Sequence, residues 1–144
     1  FSSVSSYKNE FNESPSSINI SLLTGHSMLR VQVMNGEINR SATKDEIIKM
    51  QNILENALID GSIGLSTGLA YPAANDAPTE EIIELAKVLK KHDGIFTTHM
   101  RNEGDNLVES VNETIKIGKL ADVRTVIYII NVQEDLIGVK VKKL

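Results

Sequence analysis

Two kinds of apolar segment alternate along this chain, and their alternation is the feature that most constrains its fold. Short segments rich in β-branched and other apolar residues have the character of strands, at residues 18–24, 63–69, 95–100 and 123–130. Elsewhere apolar side chains recur every three or four residues, as on one face of a helix, at residues 44–60, 79–92 and 105–119. Strands that alternate with helices of this length form parallel βαβ units. The sequence therefore predicts an α/β fold with neighbouring parallel strands and with helices on the outside.

Helix start signals support these boundaries. Thr43 and Glu46 have the spacing of a capping box, in which each side chain bonds to the other residue's backbone N–H. Thr79 is expected to cap the next helix. Glu80 and Glu81 follow it, where acidic side chains favour the helix dipole. We interpret them as first-turn residues rather than as a catalytic carboxylate pair.

The two ends of the chain differ from its middle. Residues 1–17 are polar and rich in serine, and we expect a weakly ordered lead-in with one short helix. The run at 123–130 is nearly continuously apolar, as expected of a strand that is covered on both faces. No composition shift marks a domain boundary inside the chain, so residues 1–144 are predicted to form a single segment.

Composition excludes several classes of function. The 144 residues include no cysteine, which excludes disulfides, cysteine metal ligands and thiol nucleophiles. The net charge is −4 and no basic patch is visible, so nucleic acid is not an expected partner. No apolar run approaches the roughly 18 residues of a membrane span, and no signal peptide is apparent. We therefore expect a cytoplasmic protein that does not contact membranes.

Polar side chains collect where the predicted strands end, which is the edge where parallel α/β folds gather functional groups. They are His26, Arg30, Ser66, Thr67, Tyr71, His99, Arg101 and Glu103. His26 and Arg30 are predicted to lie in a turn after the first strand. His99 is the strongest candidate, because a buried strand delivers it and imidazole is the commonest protein metal ligand. A histidine beside charged residues is more often a hydrogen-bonded or packed group, so both interpretations of His99 stay open here.

Familiar catalytic motifs are absent from the sequence. Gly61, Gly64 and Gly68 lack the spacing of a dinucleotide fingerprint, and Gly118-Lys119 lacks the upstream glycine of a Walker loop. No H-E-x-x-H zinc motif is present, and no G-x-S-x-G motif surrounds a serine. These absences argue against nucleotide binding and against a serine nucleophile.

Three ordered blocks nevertheless resemble the D-aminoacylase (N-acyl-D-amino-acid deacylase) family of the amidohydrolase superfamily. They are residues 23–30, residues 61–69 with Tyr71-Pro72, and residues 97–105. The resemblance covers nearly all of residues 1–123. It implies an internal segment of a (β/α)8 TIM barrel and zinc-dependent hydrolysis of N-acyl-D-amino acids to a carboxylate and a D-amino acid.

The resemblance also suggests roles for individual residues. His99 falls on the family's metal-binding histidine, and Tyr71 falls in the loop that lines its substrate pocket. His26 and Arg30 match family residues, but the match gives neither a role. The resemblance assigns no catalytic residue within this chain.

Departures from the family pattern favour a second hypothesis. The family's His-x-His pair and bridging cysteine would lie before Phe1, and its catalytic aspartate would lie after Leu144. The Ser-His motif expected after the fourth strand is replaced by residues 128–131, and residues 132–144 form a divergent tail. The chain is therefore either a piece of a zinc hydrolase or an inactive relic that lacks most of the metal ligands. Either way, unpaired strand edges predict self-association of the isolated chain.

Overall fold

The computed structural model describes residues 3–15 and 17–127. Its helices and strands alternate as the sequence predicts. In chain order they are α1 (Val4–Glu13), β1 (Thr24–Gly25), α2 (His26–Val33), α3 (Lys44–Ile59), β2 (Gly64–Gly68), α4 (Pro72–Asn75), α5 (Thr79–Ala86), β3 (Ile95–His99), α6 (Leu107–Ala121) and β4 (Arg124–Ile127). A 3₁₀ segment, Lys87–His92, continues α5 toward the turn before β3.

The four strands form one parallel sheet in the order β1-β2-β3-β4. Gly68 at the end of β2 pairs with His99 at the end of β3, and Thr98 pairs with Ile127 of β4. The prediction of neighbouring parallel strands is confirmed. Because the strands are parallel, their carboxyl ends and the residues that follow them meet at one edge of the sheet.

The two faces of the sheet differ in character. Leu65 and Phe96 are register partners with no exposed surface, and they belong to the apolar core shared with α3 and α5. Alternation along a strand puts the intervening residues on the opposite face. There β2 contributes Gly64, Ser66 and Gly68, which are small, while β3 contributes Ile95, Thr97 and His99. The helices therefore cover the Leu65 face, while toward the carboxyl ends of β2 and β3 the His99 face carries small and polar side chains.

Helix α3 combines a side-chain cap with a buried apolar stripe, as predicted. Thr43 and Glu46 make the predicted capping box at α3, whose Met50, Leu54 and Leu58 are buried. The second helix starts differently from the prediction. Pro78 is the N-cap of α5, and the Thr79 hydroxyl instead donates to Glu113 Oε1 at 2.8 Å. Thr79 thus ties α5 to α6 rather than capping its own helix.

The prediction of a strand at residues 18–24 is wrong for most of its length. Only Thr24–Gly25 is a strand, although the Ile63 N–H also donates to the Leu22 carbonyl at 2.8 Å. Ile18 and Ile20 are exposed, at 68% and 41%. Among the described residues β1 is an edge strand that pairs only with β2. No strand lies on its other side to help bury Ile18 and Ile20.

The predicted turn around His26 and Arg30 is also wrong, because these residues belong to helix α2. His26, Leu29 and Arg30 are its buried positions, at helical spacing. The stripe is difficult to recognise in the sequence because two of its three buried members are polar. The short helix α4 was not predicted either.

The remaining boundaries agree with the prediction to within a few residues. The lead-in contains α1, which begins at a capping box formed by Ser3 and Ser6. The predicted strand at 123–130 corresponds to β4, while residues 128–130 and the tail at 132–144 lie outside the described residues. In the described part of the chain, no helix has the length and apolar character that crossing a membrane requires.

Candidate functional site

Tyr71 and His99 meet at the carboxyl edge of the sheet. The Tyr71 hydroxyl lies 3.3 Å from His99 Nδ1, and the two rings make an edge-to-face contact with centroids 5.1 Å apart. Gly68 makes this contact possible: a Cβ atom at that position would lie 2.6 Å from the Tyr71 ring. The tyrosine ring therefore occupies the place that a side chain on the last residue of β2 would take.

Glu103 approaches the other nitrogen of the same imidazole. His99 Nε2 lies 3.2 Å from Glu103 Oε1, and both side chains are largely buried, at 15% and 14% exposure. The ring is thus held between a phenol and a carboxylate. A neutral imidazole oriented by a carboxylate can serve as a metal ligand or exchange a proton. Among the described residues, no group of three or more His, Asp or Glu side chains is arranged to hold a metal ion.

Arg101 turns away from His99 toward the segment that follows Tyr71. It makes a bidentate pair with Glu113, with Nε to Oε2 at 3.0 Å and Nη2 to Oε1 at 2.8 Å. Burial alone would raise the pKa of Glu113, but the hydrogen bonds from Arg101 and Thr79 outweigh it and lower that pKa. Nη1 donates to the Asn75 carbonyl at 2.6 Å, and Nη2 donates to the Ala77 carbonyl at 3.0 Å.

His26 and Arg30 contact a buried carboxylate, Glu81, rather than His99. The side chains of all three have no exposed surface. Arg30 Nη1 donates to both Glu81 oxygens, at 2.6 and 2.7 Å, and His26 Nε2 lies 2.9 Å from Glu81 Oε1. Burial alone would raise the pKa of Glu81, but the hydrogen bonds from His26 and Arg30 outweigh it and lower that pKa. Glu81 is therefore an ionised carboxylate inside the protein.

The role of Glu81 was missed by sequence reasoning, which treated it only as a first-turn residue of the helix. One signal could have indicated its burial. Glu81 lies four residues before Leu85, so it falls on the same helix face as that fully buried side chain. A carboxylate on an apolar stripe needs a cationic partner, and Arg30 supplies it.

Ser66 and Thr67, the two remaining predicted residues, lie on opposite faces of β2. The buried Thr67 hydroxyl donates to the Thr98 hydroxyl at 2.8 Å, on the helix-covered face. Ser66 alternates onto the face of His99. Thr67 therefore contributes to the core, and the structure does not bring it to Tyr71 or His99.

Comparison with known proteins connects this geometry to one enzyme group. The chain is 42% identical over 127 residues to a D-aminoacylase of Alcaligenes xylosoxydans xylosoxydans, which covers 88% of this chain and 26% of that protein. It is 42% identical over 115 residues to an N-acyl-D-aspartate deacylase of the same organism, covering 79% and 23%. No protein-family model matches the chain. The chain thus spans about a quarter of the length of these relatives.

Solved structures give the same result for the fold. A crystal structure of D-aminoacylase matches with a TM-score of 0.85 and 44% identity, over 88% of this chain and 27% of that one. An N-acyl-D-glutamate deacylase of Bordetella bronchiseptica, in complex with zinc and a phosphonate inhibitor, matches with a TM-score of 0.83 and 34% identity, over 87% and 26%. The similarity to the D-aminoacylase family that the three sequence blocks indicate is confirmed.

Proposed function

We propose that this chain is an internal segment of a zinc-dependent hydrolase that cleaves N-acyl-D-amino acids to a carboxylate and a D-amino acid. The observation that carries the proposal is the 42% identity to a D-aminoacylase over 127 residues. The zinc and the phosphonate inhibitor in the similar N-acyl-D-glutamate deacylase support the metal and the reaction class. Residues 1–144 would then be one segment of a larger catalytic domain, in the cytoplasm.

The sheet supports a partial (β/α)8 barrel as the architecture. Its strands follow one another in chain order, all parallel, with the intervening helices over the Leu65 face. A closed barrel has eight such strands in about 250 residues, and its interior is filled by side chains from the strands. Gly64, Ser66 and Thr97 would then face the barrel interior, with His99 at its carboxyl rim.

His99 fits the part of a zinc ligand. Its ring lies at the carboxyl end of a strand, and Glu103 is placed to hold one nitrogen while the other binds a cation. One of its two present contacts, to Tyr71 or to Glu103, would have to open for the metal. Catalytic zinc usually has three protein ligands, so the other ligands would come from outside the described residues.

The chemistry would divide between the metal and the residues of this chain. Bound zinc lowers the pKa of a coordinated water to about 7 and polarises the scissile carbonyl. Glu103 would fix the tautomer and orientation of the His99 ring. Tyr71, which is 54% exposed, would form part of the wall of the substrate pocket beside the metal.

A substitution at His99 tests this proposal. We expect His99→Ala, in the longer polypeptide that carries this segment, to lower zinc content and turnover of an N-acetyl-D-amino acid together. The melting temperature should change little. The matched control is His92→Ala, which removes another imidazole at the far end of the 3₁₀ segment beside Glu55. Full zinc and full turnover in His99→Ala would refute the assignment of His99.

The second candidate is an inactive relic of the same fold. It is favoured by the lack of a multi-ligand metal cluster among the described residues, and by the lack of any histidine after His99 in the sequence. The genomic sequence on either side distinguishes the two, because an upstream His-x-His and a downstream aspartate are needed by the enzyme. The isolated chain should bind zinc weakly in either case, which metal analysis after dialysis would measure.

A further inference from the structure

We propose that Arg30 and Arg101 are positioning residues that hold residues 71–77, the 71–77 segment, as a preformed wall beside His99. The segment would then not act as a mobile lid. This inference rests on the proposed function for its importance in substrate binding. Its structural content depends only on contacts within this chain.

The segment is too short to hold its own shape. It consists of Tyr71, the four-residue helix α4 and two further residues, and its internal bonds include those from the Ala74 and Asn75 N–H groups to the Tyr71 carbonyl, at 2.9 Å each. Isolated helices shorter than about 12 residues are marginal in water. Its order therefore depends on bonds from other parts of the fold.

Arg30 holds the middle of the segment from the α2 side. Its Nε donates to the Ala73 carbonyl at 3.1 Å. Its Nη2 donates to the Ile38 and Arg40 carbonyls, at 2.7 and 2.5 Å, and Nη1 is occupied by Glu81. All five N–H donors of the guanidinium are therefore used, and the group is locked in one orientation.

Arg101 holds the end of the segment from the β3 side. It donates to the carbonyls of Asn75 and Ala77, while Glu113 binds it in a bidentate pair. The two arginines thus come from different parts of the fold, and a carboxylate holds each of them. In each, a carboxylate on a neighbouring helix fixes the guanidinium plane. Arg30 then binds one backbone carbonyl of the segment through Nε, while Arg101 binds two through Nη1 and Nη2. Three of its carbonyls, at residues 73, 75 and 77, are held in this way.

Arginine is required for this arrangement because its planar fork serves a carboxylate and carbonyls at the same time. Lysine presents a point charge on a flexible stem and cannot reproduce bidentate geometry. An Arg→Lys substitution therefore retains the charge opposite the carboxylate but loses the grip on the segment. The consequence should appear at Tyr71, whose ring rests over Gly68 and against His99.

Hydrogen exchange of the full chain tests whether Arg30 and Arg101 hold the 71–77 segment. We expect Arg101→Lys to speed exchange of the Ala74, Asn75 and Ala77 amides about tenfold or more, because bonds from a charged donor are lost. Exchange in α3 and β2 should stay unchanged. Arg30→Lys should act in the same way, and since Arg30 is buried, Arg101→Lys decides the outcome if that variant does not fold.

The matched control is Arg40→Lys. Arg40 also makes a bidentate pair with a carboxylate, Glu46, at 2.8 Å for both bonds, but its side chain bonds to no residue of the segment. Exchange at residues 71–77 should not change in this variant. A uniform rise of exchange across the whole chain in Arg101→Lys would show that Arg101 serves only global stability, and would overturn the proposal.

A spectroscopic signature separates positioning from stability. In a chain labelled with ¹³C-tyrosine and ¹³C-histidine, the NMR contacts between the Tyr71 and His99 rings should weaken in Arg101→Lys and persist in Arg40→Lys. If Arg101→Lys leaves both the ring contacts and the exchange at residues 71–77 unchanged, the positioning role is refuted, whether or not the longer protein is a deacylase. In an active longer protein, the same substitution should raise KM more than it lowers kcat.

Discussion

At the scale of single residues, position 68 has a strict requirement for glycine, because the Tyr71 ring lies against it. We expect Gly68→Ala to destabilise the chain by about 1–3 kcal/mol, the usual cost of overpacking, because the new Cβ would lie 2.6 Å from the Tyr71 ring. Urea denaturation measures the change. The cost should largely disappear in a Tyr71→Ala background, which removes the ring. Equal costs in both backgrounds would show that the ring does not decide the requirement for glycine.

The buried carboxylate Glu81 makes stability depend on acid pH. Burial alone would raise its pKa, but the hydrogen bonds from His26 and Arg30 outweigh this effect and lower the pKa below the usual 4.5. Between the pKa of Glu81 in the folded chain and 4.5, the unfolded chain binds more protons than the folded chain. The stability that Glu81 contributes is therefore fully present above about pH 4.5 and is lost as the pH falls through the folded pKa. Urea unfolding between pH 7 and 3 should show this loss.

Glu81→Gln provides the comparison for that measurement. The substitution leaves Arg30 buried with no countercharge, which costs about 3–5 kcal/mol at neutral pH. The variant should also show a shallower dependence on pH below 4.5. A variant with the same acid profile as the parent chain would assign the acid sensitivity to other carboxylates, such as Glu113.

At the scale of elements, the packing of α6 on β4 decides whether Gly118→Ala stabilises or destabilises the chain. Glycine in a helix costs about 0.8–1 kcal/mol relative to alanine, so Gly118→Ala would stabilise an isolated α6. In this fold the new Cβ would lie 2.4 Å from Thr125 Oγ1. Overpacking costs about 1–3 kcal/mol and outweighs the gain. We therefore expect net destabilisation in thermal unfolding, mostly relieved by Thr125→Ala; a more stable Gly118→Ala chain would show that α6 shifts freely.

At the scale of the whole molecule, the sheet is open. Among the described residues β4 pairs with β3 alone, and Val126 on it is 47% exposed. Ile115 and Leu120 of α6 are 44% and 57% exposed. Unpaired strand edges are templates for association, so we expect sedimentation velocity to show oligomers that increase with concentration. A single monomeric species with sharp cooperative unfolding would contradict this.

Much of the architecture could be predicted because its determinants are local. Apolar periodicity identified α3, α5 and α6, and alternation of helices with apolar runs predicted the parallel sheet. The failures have physical reasons as well. At residues 18–24, β-branched side chains favour a strand, but with one strand neighbour among the described residues only Thr24–Gly25 is one. At α2, two buried positions are His26 and Arg30, so the helical stripe is not apolar.

The sequence by itself determined the order and type of most elements, the shared edge at which Tyr71 and His99 lie, and the resemblance to D-aminoacylases. Only the tertiary structure decided which polar residues pair. Glu81 and His26 are 55 positions apart, and Arg101 meets the carbonyls of residues 75 and 77 across a helix and a strand. A carboxylate in a first helical turn has the same local sequence whether it faces water or a buried guanidinium. Its partner is selected by the packing of distant elements, because desolvating the carboxylate is costly unless a cation meets it.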